Sequence, residues 1–170
     1  MDTLDFEPVF KQKAIVVQSA IDPQRDPVIM IAELGPGESG PPAHIHPAQQ
    51  ETYTVLEGEA EFRLDGKTII VKQGEKIVIP PNTPHTFKNK TTSWLKMQDM
   101  HEPALSFEAM MRELHGLVHS GKVSGFSDPK SLVYLSMLWV KHEELQRSIQ
   151  PPFFIMRVMA AVGKLIGYKI

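Results

Sequence analysis

Cysteine is absent from all 170 residues, which excludes disulfides, thiolate metal sites and a cysteine nucleophile. Any metal must therefore rest on histidine and carboxylate side chains. An excess of one charge is also lacking: 18 Lys and Arg stand against 20 Asp and Glu, a formal −2. That balance lacks the basic footprint of a phosphate-backbone binder, so no nucleic-acid partner is expected. No run reaches the roughly 18 consecutive apolar residues of a spanning helix, so no transmembrane segment is expected. The opening residues Met1 to Pro8 are acidic where a secretory signal would be basic, and carry no apolar run. The expectation is a cytoplasmic protein. What remains, at 42% hydrophobic and 8% aromatic residues, is the composition of an ordinary globular chain forming one domain or a domain with an appendage.

The chain changes character near Glu102-Pro103. Before it the apolar runs are short and β-branched: Ala14 to Val17, Val28 to Leu34, Tyr53 to Leu56, Thr68 to Val71, Ile77 to Ile79 and Trp94 to Met97. These read as strands. Turn residues separate them, and Asp65-Gly66 between two such runs is a hairpin signal. Many short strands with no helix between them point to an antiparallel sandwich or barrel over residues 1–102. From 103 to 170 the period becomes 3.6, and about three helices are expected. The first carries Phe107, Met110, Met111, Leu114, Leu117 and Val118 on one face, with Ser106 as N-cap and Gly121 as stop. The second starts at Ser127-Asp128-Pro129 and the third after Pro151-Pro152.

The chemistry concentrates in four residues. In His44-Ile45-His46 a period of two puts both imidazoles on one face, and Pro47 to Gln50 supply a bend that can turn Glu51 toward them. His85 follows the turn Pro80-Pro81-Asn82-Thr83-Pro84, from which a neighbouring strand could bring it to the same point. Three imidazoles and a carboxylate suit Fe, Mn, Ni, Cu or Zn and are too nitrogen-rich for Mg or Ca. His101, His115, His119 and His142 lie outside this pattern and read as exposed helical histidines. His115 and His119 have the i, i+4 spacing of a metal pair, but no third ligand is evident nearby.

The run from His44 to Gly58, with its paired His, following Glu and hairpin Gly, resembles the first cupin motif. The run from Gly74 to Asn89 resembles the second, with Gly74, Pro80, His85 and Asn89 in register. Two departures occur: Glu38 stands where the first motif has Gly, with Gly37 beside it, and Asn82 stands where the second has Gly. Asn tolerates positive φ, so that turn can survive. The resemblance covers residues 28 to 101 and implies a mainly β fold, a cupin-type double-stranded β-helix or jelly-roll barrel, followed by the helical tail. It also implies that His44, His46, Glu51 and His85 ligate one divalent transition metal per chain, with Glu51 as a possible proton acceptor. By resemblance to small quercetin-dioxygenase-like cupins, the leading activity is a dioxygenase-like oxidoreductase acting on a small molecule inside the barrel. The alternatives are a non-catalytic ligand-binding or sensing protein and a metal-dependent isomerase or lyase. Tyr53, Phe62, Phe87, Trp94 and Met97 are candidate pocket-lining residues, with core packing an equally good account. Small cupins commonly pair, so a homodimer is expected. The last helix, with Arg157, Lys164 and Lys169 beside an apolar stripe, reads as a packing helix in preference to a membrane-surface one.

Overall fold

The computed structural model describes residues 2–22 and 25–170. The strands are β1 (Asp2–Asp5), β2 (Gln12–Gln18), β3 (Val28–Leu34), β4 (His44–Ile45), β5 (Gln50–Glu57), β6 (Glu59–Leu64), β7 (Lys67–Lys72), β8 (Lys76–Ile79), β9 (His85–Lys88) and β10 (Leu95–Glu102). Then come α1 (Phe107–His119), α2 (Pro129–Lys141), β11 (Arg147–Ser148) and α3 (Phe153–Leu165). They build two antiparallel sheets, ordered β1-β2-β3-β10-β5-β8 and β11-β4-β9-β6-β7. This is the mainly β architecture with C-terminal helices that the patterning implies.

Strand alternation explains how the sheets share a core. In β5 and β10 every second residue is buried, and from the first sheet Tyr53, Val55, Leu95 and Met97 meet Ala60, Phe62, Val71 and Phe87 of the second. Phe62 has no exposure, so its burial alone is worth roughly 2–3 kcal/mol. The Asp65-Gly66 turn has positive φ at both residues, the backbone that suits a two-residue hairpin, and β6 and β7 pair directly across it. Asn82 adopts φ 61°, so it takes the part of the glycine it replaces. Its backbone N–H donates to His46 O and its side chain to Pro47 O, which ties the two motifs together.

A second core joins Leu4, Phe6, Val16, Val28 and Met30 to helical residues such as Phe107, Leu117, Leu135 and Leu138. The tail therefore packs on β1, β2 and β3. Asp128 caps α2, accepting from the Ser131 N–H, with Pro129 at the first position. Ser106 precedes α1 without capping it; its hydroxyl turns to His142 Nδ1, 3.0 Å away.

Candidate metal centre

Cross-strand register assembles the site. His44 on β4 lies directly opposite His85 on β9, while on the other sheet Glu51 of β5 lies opposite His101 of β10 and Tyr53 opposite Asp99. Direct partners in an antiparallel pair have neighbouring Cβ atoms, so each sheet delivers a pair of polar side chains. His46, in the bend after β4, fills the space between them, with ring centroids 5.0 Å from His44, 5.3 Å from His85 and 5.0 Å from His101. Fully buried Gln49 pins that bend by donating to the carbonyls of Pro103 and Ala104. The bend thus resets the facing so that Glu51 points where His46 points. All four motif residues are buried together.

Hydrogen bonds fix what each imidazole presents. Nδ1 of His44, His46 and His85 lies 2.9, 2.7 and 2.9 Å from the carbonyls of Pro42, Leu145 and Thr83. A carbonyl only accepts, so each Nδ1 carries a proton and Nε2 is the nitrogen each ring turns toward the site. In a neutral ring that nitrogen is the ligating one, and the carbonyls orient the rings as outer partners do in metal sites. One nitrogen from each of His44, His46 and His85 lies within 4.8 Å of the others. Glu51 divides its oxygens: Oε1 accepts from the Tyr53 hydroxyl at 2.7 Å, whereas Oε2 lies 2.9 Å from His85 Nε2 and 3.8 Å from His46 Nε2. The Nε2 atoms of His46 and His85 and Glu51 Oε2 are buried with no hydrogen-bond partner among the described residues. Leaving such atoms unpaired costs about 1–3 kcal/mol each, and a shared cation would satisfy all three at once. This donor set fits a borderline transition metal.

Electrostatics agree with the geometry. Burial, helped by His85 and His46, holds His44 well below the usual histidine range, and burial pulls His46 down to about 4. Both stay neutral. Burial opposes the ionised form of Glu51, but His101 and His46 outweigh it and hold the carboxyl well below its usual range. His85 is raised: burial opposes it, and contact with Glu51 prevails.

Two readings are corrected. His101 is neither helical nor exposed; it is a buried β10 residue, stacked on Phe107 with centroids 3.6 Å apart, and part of the cluster. Its Nε2 lies 3.2 Å from Glu51 Oε1 and 3.2 Å from Asp99 Oδ1. Burial opposes its charge, yet Asp99 and Glu51 lift it to about 10, so Nε2 presents a proton to Glu51 rather than a lone pair. The alternation Leu95, Met97, Asp99, His101 carried the signal for both buried polar residues. His142 is buried too, within reach of Ser106 and 3.4 Å from Glu113. His115 and His119 lie with ring centroids 4.2 Å apart at a 47° tilt, with Phe6 edge-on to His115, away from the cluster, and His119 Nε2 bonds to Asp5 O.

A cavity of about 110 Å³ opens against His44, His46, Glu51 and Tyr53. In that measure one water needs about 10–15 Å³, so a small organic molecule has room. Its walls are mostly apolar: Phe10 and Phe87 from the β region, Phe107, Leu135 and Trp139 from the helices. Of the aromatic and Met candidates, Tyr53 and Phe87 line it, whereas Phe62 and Met97 lie in the inter-sheet core. Trp94 is 47% exposed in the bend before β10 and lines nothing here.

Residues 30–101 match the family model of the cupin domain, and the two-sheet fold and paired motifs agree with it: the chain contains a cupin domain. It is 38% identical over 65 residues to the uncharacterized protein MJ1618 of Methanocaldococcus jannaschii, covering 38% of this chain and 52% of that protein. The chain thus spans about half the length of that curated relative. Among solved structures it resembles TT1209 from Thermus thermophilus, with a TM-score of 0.50 and 24% identity over 58% of this chain and 88% of that one. It also resembles KdgF from Halomonas sp., with a TM-score of 0.51 and 20% identity over 61% of this chain and 86% of that one. At such identities the likeness concerns the fold. No helix among the described residues is long and apolar enough to cross a membrane.

Proposed function

We propose that His44, His46, Glu51 and His85 hold one divalent transition metal per chain, and that the protein is a metal-dependent oxidoreductase of the dioxygenase-like kind, acting on a small organic molecule in the adjoining cavity. The observation that carries the reading is that nitrogens of His44, His46 and His85 lie within 4.8 Å of one another, with Glu51 Oε2 2.9 Å from His85 Nε2, beside an apolar cavity. When bound, a metal of the Fe, Mn, Ni, Cu or Zn group supplies Lewis acidity and, in its redox-active members, electron exchange with dioxygen and a chelating substrate.

The chain's own residues do the rest. The aromatic and aliphatic walls bind and orient an apolar substrate body and exclude bulk water, which strengthens every polar contact inside. Lys13, the cationic side chain lining the cavity, is paired with Asp5 at 3.0 Å, so a largely uncharged substrate fits better than a phosphate or dicarboxylate. Tyr53 and His101 hold Glu51 Oε1 in place, which aims Oε2 at the imidazoles of His85 and His46.

The buried pair His101 and Asp99 beside Glu51 favours a second reading, a Lewis-acid isomerase or lyase, because proton movement between substrate positions needs such groups. Oxygen uptake by the Fe(II)-loaded protein with flavonols, diketones and thiols separates the two. The oxidoreductase consumes oxygen with a matching loss of substrate, whereas the isomerase or lyase turns over anaerobically and with Zn(II). Saturable binding without turnover in either regime would make the protein a ligand-binding or sensing cupin instead.

A further inference from the structure

Helix α3 is arranged the wrong way round for a helix that only completes the fold. Its inner face is built from Met156, Ala160 and Gly163, spaced four and three apart. Gly163 comes so close to α2 that an added Cβ would stand 2.5 Å from Val133 Cγ1 and 2.9 Å from Met137 Sδ. Most of its large apolar side chains point outward: Phe154 is 68% exposed, Val158 59%, Val162 47% and Leu165 87%, with Ile166 beside them. The spacing 154, 158, 162, 165 makes one continuous stripe along the helix. A water-facing stripe of this kind on an otherwise firmly packed helix marks a contact surface.

Charge decides what covers it. From Arg147 to Ile170 the chain has no Asp or Glu, although the whole chain is formally −2. Arg157 is neutralised by Glu143 at 2.6 Å, but neither Lys164 nor Lys169 forms an ion pair among the described residues. Lys122 joins them, since its Nζ donates to Lys169 O and sits over Tyr134, which stacks on Tyr168. Three lysines thus gather at the C-terminal end of the stripe, held by the tail's own packing. A second copy brought face to face would meet the same lysines with no Asp or Glu in the segment to pair them. A surface that is anionic outside and apolar beneath satisfies both features.

We propose that α3 is an interfacial helix that seats the protein on an anionic lipid bilayer, with Phe154, Val158, Val162 and Leu165 entering the acyl boundary and Lys164 and Lys169 at the headgroups. The test is co-sedimentation of the full-length protein with vesicles of phosphatidylcholine alone or mixed with phosphatidylglycerol, beside sedimentation velocity without lipid. Wild type is expected to bind the mixed vesicles at least about tenfold better than the neutral ones, and less at high salt. Phe154→Gln with Leu165→Gln should abolish binding, while Lys164→Gln with Lys169→Gln should remove about a tenfold preference for anionic lipid. All these positions are exposed, so unchanged thermal midpoints will show that the variants fold. Absence of binding to the mixed vesicles overturns the proposal. So does a dimer that Phe154→Gln with Leu165→Gln turns into monomer, which assigns the face to a second copy.

Discussion

At the scale of single residues, Glu51 organises the site by using its two oxygens differently. Tyr53 and His101 hold Oε1, and Oε2 is left for the metal. Outer partners of this kind are worth about 10–100-fold in metal affinity. Tyr53→Phe, which keeps the ring and deletes only the hydroxyl, is therefore expected to weaken metal binding by about tenfold in a competitive titration with a chelating dye, with the thermal midpoint of the apo-protein little changed. A second buried carboxylate acts on stability. Glu108 accepts from Ser19 Oγ at 2.7 Å, Ala20 N–H at 2.9 Å and Arg112 at 2.7 and 3.0 Å, which fastens α1 to the segment after β2. Burial opposes its charge, but these donors prevail and lower its pKa in the fold. A group lowered in the folded state contributes fully above its unfolded value, about 4.3, and loses that contribution as pH falls through the folded value. Glu108→Gln should thus cost about 1–3 kcal/mol near neutrality in urea unfolding, and the gap to wild type should close below about pH 4.

At the scale of elements, local rules account for those whose signals are confined to a few residues. The run Val28–Leu34, the Asp65-Gly66 hairpin and the Asp128-Pro129 helix start all stand as the residues imply, because each depends on β-branching, backbone φ or capping close in sequence. The pairing of His44, His46, Glu51 and His85 was legible for a different reason, since two motifs of fixed spacing specify it. His101 was not, because Gln98 and Asp99 interrupt the apolar run from Trp94 to Met97 and hide the inward alternation that continues to residue 101. β1 and β11 were equally hidden: one has four residues of which two are Asp, the other only two residues held by β4, about a hundred residues earlier in the chain. Packing between elements is likewise invisible to periodicity, as Gly163 shows. Gly163→Ala would gain about 1 kcal/mol of helix propensity. The added methyl must displace Val133, whose branched side chain is stiff in a helix, and overpacking costs about 1–3 kcal/mol. The overpacking term is the larger, so the variant should unfold at lower denaturant than wild type; an increase would show that α2 and α3 separate freely.

At the scale of the whole molecule, the helical tail packs against the strands and reaches the site. Helical residues complete the core over β1, β2 and β3, α1 and α2 wall the cavity, and the Leu145 carbonyl orients His46 from the turn after α2. Ending the chain after Pro103 would bare Leu4, Phe6, Val16, Val28 and Met30 and release His46 Nδ1 from its acceptor. The truncated protein is expected to aggregate, as seen by light scattering, and any soluble fraction to bind metal at least about tenfold more weakly than the full chain. A soluble truncated barrel with undiminished metal affinity would make the tail an independent module. Metal binding is the property on which the proposed activity depends. Reconstitution of the apo-protein with Fe(II), Mn(II), Ni(II), Cu(II) or Zn(II), followed by elemental analysis after gel filtration, should return one ion per chain for at least one of them, and none for the His44→Ala, His85→Ala double variant. Wild type that retains no metal, or a double variant that retains as much, would contradict the proposed site.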